Sequence, residues 1–249
     1  MKKILYLTLI LSAFTTHAQD KIQRILPKQP IYIDLLDDLG NPLKGDPVLV
    51  LNYFAEKEGS YLFYFNEAKS KGESYLTENP KDLYAGLYIE DHGGILELIT
   101  FKDFAGPLSE PSYLLDYCVA EDVDKNKSPE FYLTYFETSD GLDAKPLKII
   151  VYSKNDKNFV KSKITAWIPY QPEDKYKVEK DENYKKLPKS IQAKAENILK
   201  KAQLSLQQEK KSLMNKEKNS AIQNRAATAY SKYQKISLKS AKNLLVSGW

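Results

Sequence analysis

The stretch DVDKNKSPEF, from Asp122 to Phe131, holds the residues whose types and spacing best suit a chemical role. Oxygen-bearing side chains alternate at Asp122, Asp124 and Asn126, and a further carboxylate follows at Glu130. Calcium prefers several oxygen ligands, which a tight loop can supply at alternating positions. These four residues are therefore candidate ligands for a calcium ion, and calcium is the one cofactor that the sequence suggests.

The same stretch departs from a standard calcium-binding loop. Lys127 stands at the sixth position, where the sharp turn requires glycine, and the carboxylate of Glu130 comes at the ninth position instead of the twelfth. Lys125 and Lys127 also lower the local negative potential. In the alternative interpretation, the stretch is a polar corner between two strands, in which Asp and Asn side chains accept hydrogen bonds from the loop's own N–H groups.

The rest of the sequence offers few catalytic residues. Without its predicted signal peptide the chain has one histidine, His92 in the turn EDHGG, and one cysteine, Cys118 in the apolar context LLDYCVA. Zinc sites use several such ligands, and a cysteine in an apolar context is typically a small buried side chain. Phosphate-binding glycine loops and the GxSxG motif are absent from the sequence. This favours a protein that is not an enzyme, although a hydrolase that uses two carboxylates stays open.

The N-terminal residues have the pattern of an export signal. Met1–Lys3 is basic, Ile4–Phe14 is apolar, and Thr16 and Ala18 are small residues at the −3 and −1 positions of a cleavage site. We therefore predict a signal peptide over residues 1–18, cleaved after Ala18, and a periplasmic or secreted protein. The apolar run is shorter than the ~20 residues that span a bilayer, and no transmembrane anchor is expected.

Residues 19–170 form an acidic region with the pattern of a β-rich domain. Short runs rich in β-branched and aromatic residues are separated by turn residues such as EDHGG and KND. No helical periodicity connects them, which favours antiparallel pairing. The fold class predicted is mainly β, an antiparallel meander that is blade-like or sandwich-like, with a C-terminal helical extension, and α+β overall. The predicted strands are Ile31–Asp34, Val48–Tyr53, Tyr61–Phe65, Leu83–Ile89, Ile95–Phe101, Tyr113–Ala120, Phe131–Glu137, Leu147–Tyr152 and Ile164–Ile168.

The composition changes after Tyr170. Residues 171–249 carry 18 basic and 8 acidic residues, whereas residues 19–170 carry 17 basic and 25 acidic residues. Residues 171–187 have the composition of a polar linker, and a basic helical extension is predicted over residues 188–249. Its helix should begin near Pro188, because Ile191, Ala195 and Ile198 recur at helical spacing. Nucleic acid is not expected as a partner, because the alternating aromatic and basic residues of such sites are absent.

The loop and its flanking sequence also carry a resemblance. The pattern DxDx[ND]xxxEφxφxY is similar to the Asp-rich turn of FG-GAP-type β-blade repeats. Together with further pieces in order, it resembles a family of exported flavobacterial proteins described as taking part in surface-polysaccharide biosynthesis. The resemblance covers about Ile31–Ala202. The pieces are DDLGNP, DLYAGLYIED, ILELITFKDFAG, AEDVDKNKSPEFYLTYF, AKPLKIIVYSKNDKNFV and LPKSIQAKAENILKK.

The resemblance implies a role in the cell envelope and supplies no catalytic residues. We therefore expect an exported, non-enzymatic cell-envelope factor involved in surface-polysaccharide or lipopolysaccharide biosynthesis. The alternative is a secreted β-rich binding or adhesion module, which recognises a glycan or protein through a tyrosine-rich surface. The expected partner is an envelope protein or a surface glycan, and the sequence does not define the oligomeric state.

Overall fold

The computed structural model describes residues 21–171, 173–212, 215 and 216. The predicted signal peptide, residues 1–18, and most of the C-terminal extension lie outside these residues. The chain divides into two compact units, one up to Ala195 and one from Glu196 onward. In the described part of the second unit the chain is helical.

The described residues of the first unit contain eleven strands and two helices, and a third helix begins near the end of this unit. A short 3-10 turn, Leu115–Tyr117, lies between the sixth and seventh strands. The strands are β1 Lys21–Ile25, β2 Asp46–Ala55, β3 Gly59–Lys69, β4 Lys81–Asp91, β5 Gly94–Asp103, β6 Ser109–Tyr113, β7 Val119–Glu121, β8 Glu130–Ser139, β9 Lys145–Asn155, β10 Asn158–Ile168 and β11 Lys177–Lys180. The helices are α1 Pro30–Leu39, α2 Glu182–Lys186 and α3 189–212.

The strands form two antiparallel sheets. The first sheet has the order β1-β2-β3-β4-β5, so each strand pairs with the next one along the chain. The second has the order β11-β10-β9-β8-β6, with β7 also paired to β8. Short turns connect β2 to β3, β4 to β5, β8 to β9 and β9 to β10. In the β4–β5 hairpin, His92 and Gly93 both have positive φ, of 49° and 84°, as a two-residue type I′ turn requires. The predicted antiparallel meander is therefore confirmed.

The main core lies between the two sheets and is rich in aromatic rings. Leu49, Leu51 and Phe63 of the first sheet and Phe131 and Tyr152 of the second are buried in one cluster. The Phe63 ring packs edge-on against Phe131 and Tyr152, with centroid distances of 5.7 and 5.5 Å. Side chains alternate between the two faces of a strand, so the neighbours of these residues point to the outer faces of the sandwich.

Each sheet also has an outer face that other elements contact. Helix α1 covers the first sheet, where Leu35 packs in a second cluster with Val50, Leu62 and Tyr64. Helix α2 follows β11 and packs against β10. The Tyr184 hydroxyl of α2 is buried and donates a hydrogen bond to the Gln192 carbonyl at 3.0 Å. This bond ties α2 to the beginning of α3.

Two predicted strands are wrong. Ile31–Asp34 lies in helix α1, because Pro30 occupies the first turn and Tyr32, Leu35, Leu36 and Leu39 recur at helical spacing. Tyr113–Ala120 is interrupted by the 3-10 turn, and a side chain far away in the sequence holds this turn in place. The Arg24 guanidinium donates to the carbonyl oxygens of Leu115 and Cys118, at 2.9 and 2.6 Å.

The remaining predicted strands lie within observed strands, and α3 begins at residue 189 beside the predicted Pro188. The described residues between Val48 and Tyr152 contain no helix of three turns. Residues 171–187, with the composition of a polar linker, contain β11 and α2. Strand β11 is mostly exposed, so it lacks the apolar alternation by which strands are predicted.

Candidate functional site

The predicted calcium-binding stretch is the connection between β7 and β8. These strands pair antiparallel, with Glu121 opposite Glu130, so residues 122–129 close a hairpin. Asp122, Asp124 and Asn126 lie in this connection, and Glu130 begins the following strand. The structure therefore places all four predicted site residues in one hairpin end.

The loop is held together by its own Asp and Asn side chains. The Asp122 carboxylate accepts hydrogen bonds from the N–H groups of Asn126 and Lys127, at 3.0 and 2.9 Å. Asp124 accepts from the backbone N and the Nδ2 of Asn126, at 3.2 and 3.0 Å. The Asn126 Oδ1 accepts from the Ser128 N–H at 2.7 Å. These are the contacts expected of a polar corner.

Glu130 differs from the other acidic residues of the loop because it is buried, with 1% of its surface exposed. Its Oε2 accepts a hydrogen bond from the Val123 N–H at 2.9 Å. Burial raises the pKa of Glu130 to about 8; the carboxylates of Asp124 and Asp122 add to this rise, and the Val123 hydrogen bond opposes it. The carboxyl group therefore holds a proton at neutral pH.

Three of the four predicted ligands converge. Asp122, Asp124 and Glu130 each place a carboxylate oxygen within 4.8 Å of the others, which is close enough for one cation to reach all three. Asn126 is exposed, and its oxygen is already bonded to Ser128. Calcium takes 6–8 oxygen ligands, so water would have to supply the rest.

The backbone of the loop is strained where a calcium loop carries glycine. Lys127 has φ of 75° and Lys125 has φ of 58°, in the left-handed region that costs an L-residue about 1–2 kcal/mol. Both lysine side chains are exposed. The turn therefore has a calcium-loop-like bend without the glycine that normally permits it.

A cavity of about 310 Å³ lies beside this loop, on the outer face of the second sheet. Asp124, Asn126 and Glu130 line one side, and residues of α2 and the beginning of α3 line the opposite side. Its floor is formed by strands β9 and β10, where Ser153 and Ser162 face outward. The cavity thus joins the predicted loop to residues that sequence analysis did not single out.

The two serines interrupt an otherwise apolar sheet face. Ser153 pairs with Val160, and Ser162 pairs with Val151, on adjacent strands. Ser162 is 1% exposed, and its Oγ has no hydrogen-bond partner within the described part of the chain. The sequence alone indicates this pair of serines only weakly. Ser153 follows Val151 by two positions and Ser162 follows Val160 by two positions, and they are recognised as neighbours only once the register of β9 and β10 is known.

The two other reactive side chains take no part in this site. His92 lies in the β4–β5 turn, where its exposed ring contacts Asp91. Cys118 is fully buried, and burial raises the pKa of its thiol to about 12. The prediction of a small buried cysteine is confirmed, and a thiol of this kind is unreactive.

Comparisons of this chain with family models, with curated proteins and with solved structures gave no match. In the described part of the chain, no helix combines the length and the apolar character needed to cross a membrane.

Proposed function

We propose that this chain is an exported, non-enzymatic cell-envelope factor that takes part in surface-polysaccharide or lipopolysaccharide biosynthesis, and that it acts by binding. The observation that carries the binding role is the cavity beside the Asp122–Glu130 loop, which polar and apolar side chains line together. A pocket with a few convergent polar groups is the usual form of a small-molecule site. The envelope role is supported by the signal-peptide pattern and by the family resemblance.

The two carboxylates at the cavity suit binding better than hydrolysis. Glycosidases place their two carboxyl groups on either side of the scissile bond. Here Asp124 and Glu130 line the same side of the cavity, and one carboxylate oxygen of each lies within 4.8 Å of the other. Asp124 is also bonded to Asn126, and Glu130 is buried. This arrangement favours a pair that shares a proton or a cation.

The alternative, a secreted adhesion module, rests on a tyrosine-rich surface. Many tyrosines of the β-rich region lie in the interior, where Tyr61, Tyr64, Tyr132 and Tyr152 are each at most 1% exposed. Tyr75, by contrast, is 77% exposed. Because so much of the tyrosine content serves the core, the cavity supports a binding role more strongly than the surface does.

A genetic experiment separates the two roles. The gene is deleted in the bacterium that encodes it, and the strain is complemented either with the full chain or with the chain lacking residues 1–18. We expect altered surface-polysaccharide banding on gels, restored by the full chain alone. Unchanged banding with a loss of adhesion would favour the adhesion module, and rescue by the chain lacking residues 1–18 would contradict the envelope location.

A second candidate role for the loop is calcium binding, which the convergence of Asp122, Asp124 and Glu130 favours. We expect weak affinity, with Kd about 10⁻⁴–10⁻³ M, because Lys127 replaces the glycine and the loop supplies few ligands. Glu130, whose pKa burial raises to about 8, must also release its proton before it can bind calcium. At a tenfold excess over Kd, calcium should stabilise the folded state by about 1.4 kcal/mol.

The measurement is a calorimetric titration together with melting curves in calcium and in chelator. Asp124→Ala is the test variant, and Asp156→Ala is a matched control in the β9–β10 turn outside the site. Asp124→Ala should abolish the calcium effect, and Asp156→Ala should retain it. Identical melting of the unaltered protein with and without calcium would eliminate this role and leave the self-capped polar corner.

A further inference from the structure

We propose that the cavity beside the Asp122–Glu130 loop binds one neutral sugar ring, as the end unit of a glycan. This inference rests on the proposed binding function and names the ligand class of the same site. The cavity measures about 310 Å³, at the lower end of the about 300–1,000 Å³ typical of ligand pockets. A single ring fits this volume better than a longer chain does.

The floor of the cavity supplies buried oxygen atoms. Glu130, Ser153 and Ser162 belong to three adjacent strands, and they are 1%, 8% and 1% exposed. The Ser162 Oγ lacks a partner within the described residues, and a buried polar group left unpaired costs about 1–3 kcal/mol. A ligand hydroxyl that enters the cavity would provide the missing hydrogen bond.

The rim adds groups that can both donate and accept hydrogen bonds. Asn155 comes from the end of β9, and Asn183 comes from α2. Asn183 is held in place because its Nδ2 donates to the Lys161 carbonyl at 3.0 Å. An amide offers a hydrogen-bond donor and an acceptor side by side. This arrangement suits two neighbouring sugar hydroxyl groups, because each hydroxyl group can both donate and accept a hydrogen bond.

The remaining wall is apolar. Val160 of β10 lines the cavity together with Leu187 and Pro188, which connect α2 to α3, and Ile191 in the first turn of α3. A sugar ring presents polar edges and faces of C–H groups, so it can pack one face on this wall while its hydroxyls reach the serines and amides. A phosphate or carboxylate group would have no such use for the apolar wall.

The charges around the cavity favour a ligand without net charge. Asp124 on one side is matched by Lys186 on the other. Lys154, which also lines the cavity, is engaged in an ion pair with Glu58. An anionic ligand would meet Asp124, and a cationic ligand would meet Lys186.

The test is calorimetric and NMR titration of the chain without residues 1–18. The probes are methyl glycosides of glucose, galactose, mannose and N-acetylglucosamine, with inositol hexaphosphate and spermidine as charged controls. We expect saturable one-site binding of at least one glycoside and weaker binding of both charged probes. The same glycoside should shift the NMR signals of Ser162 and Asn155.

Ser162→Ala is the decisive variant, and Ser112→Ala on β6 is its matched control outside the cavity. Loss of one hydrogen bond should weaken glycoside binding about fivefold, whereas the melting temperature should stay equal or rise, because an unpaired buried hydroxyl is removed. The Ser112→Ala protein should bind normally. A purely structural role for Ser162 would leave affinity unchanged.

Three results would overturn the proposal: no glycoside binds up to tens of millimolar, a charged probe binds more tightly, or Ser162→Ala binds as well as the unaltered protein. A cavity that holds only water would give the first result. If no glycoside binds but the deletion strain has altered surface polysaccharide, the sugar ligand is refuted and the proposed envelope function is retained.

Discussion

Glu130→Gln tests the electrostatics of the site through the pH dependence of folding. Glutamine keeps the shape of the side chain and an oxygen that can accept the Val123 hydrogen bond, which measures 2.9 Å. It cannot ionise, however. The variant therefore removes one titration and leaves the hairpin end intact.

The direction in which stability changes with pH follows from the difference between the pKa of Glu130 in the folded state and in the unfolded state. Glutamate ionises near 4.5 when exposed, and burial raises the pKa of Glu130 to about 8. Between these two pH values the folded state holds a proton that the unfolded state has released. Glu130 therefore contributes its full stability below about pH 4.5, and this contribution is lost as the pH rises toward 8.

The magnitude follows from the same two pKa values, 4.5 and about 8. One pH unit between them corresponds to about 1.4 kcal/mol when a single proton is taken up on folding. The free energy of unfolding should therefore fall by roughly 2–3 kcal/mol from about pH 5.5 to 7.5 through this group. In the Glu130→Gln protein this part of the slope should be missing.

The assay is urea unfolding at half-unit pH steps, and Glu73→Gln is the matched control. Glu73 is exposed and lies in the connection between β3 and β4, two strands of the other sheet. The control should keep the pH slope of the unaltered protein. Superimposable slopes for the unaltered protein and Glu130→Gln would refute the protonated, buried carboxyl group.

Three further predictions concern the backbone and the C-terminal extension. Gly45→Ala should destabilise the protein by at least about 2 kcal/mol more than Gly59→Ala. Both glycines have positive φ, but only at Gly45 would an added Cβ meet the Glu67 carbonyl oxygen, at 2.3 Å. Equal urea midpoints of the two variants would contradict this prediction. Lys127→Gly should raise the free energy of unfolding by up to about 1 kcal/mol, because glycine adopts the positive φ of this position without strain. Lys157→Gly in the β9–β10 turn should lower the free energy of unfolding. A marked loss of stability in Lys127→Gly would mean that Lys127 does not have positive φ in the folded protein. Deletion of Leu204–Trp249 should leave the melting temperature within a few degrees, because Leu204 is 48% exposed and the apolar stripe thins beyond it; a large fall would show that the extension packs on the rest of the chain.

The β-rich class and the antiparallel meander could be predicted because both depend on local signals. The turn EDHGG marks the β4–β5 hairpin, and the strand candidates around it have the required alternation and β-branched content. Helix α1 was missed because a four-residue run at Ile31–Asp34 is too short to distinguish the two periodicities. The 3-10 turn was missed because Arg24, far away in the sequence, fixes its carbonyl groups.

Part of the candidate site could likewise be predicted from local sequence, and part of it could not. The loop residues Asp122, Asp124 and Glu130 are close in sequence, so their spacing predicts that they share one turn. The cavity beside them depends on Ser153 and Ser162, which become neighbours through the pairing of β9 with β10. It also depends on α2, which lies in a segment with the composition of a linker. Such contacts follow from tertiary packing, which spacing alone does not encode.

We propose that this protein binds surface glycan without altering it. The most direct test is calorimetric titration of the chain without residues 1–18 against short oligosaccharides released from the bacterium's own surface polysaccharide, with the mass of the oligosaccharides measured before and after. We expect saturable binding at one site and unchanged masses of the oligosaccharides. Shortened oligosaccharides would show an enzyme, and the absence of binding heat at millimolar oligosaccharide would contradict a glycan-binding role.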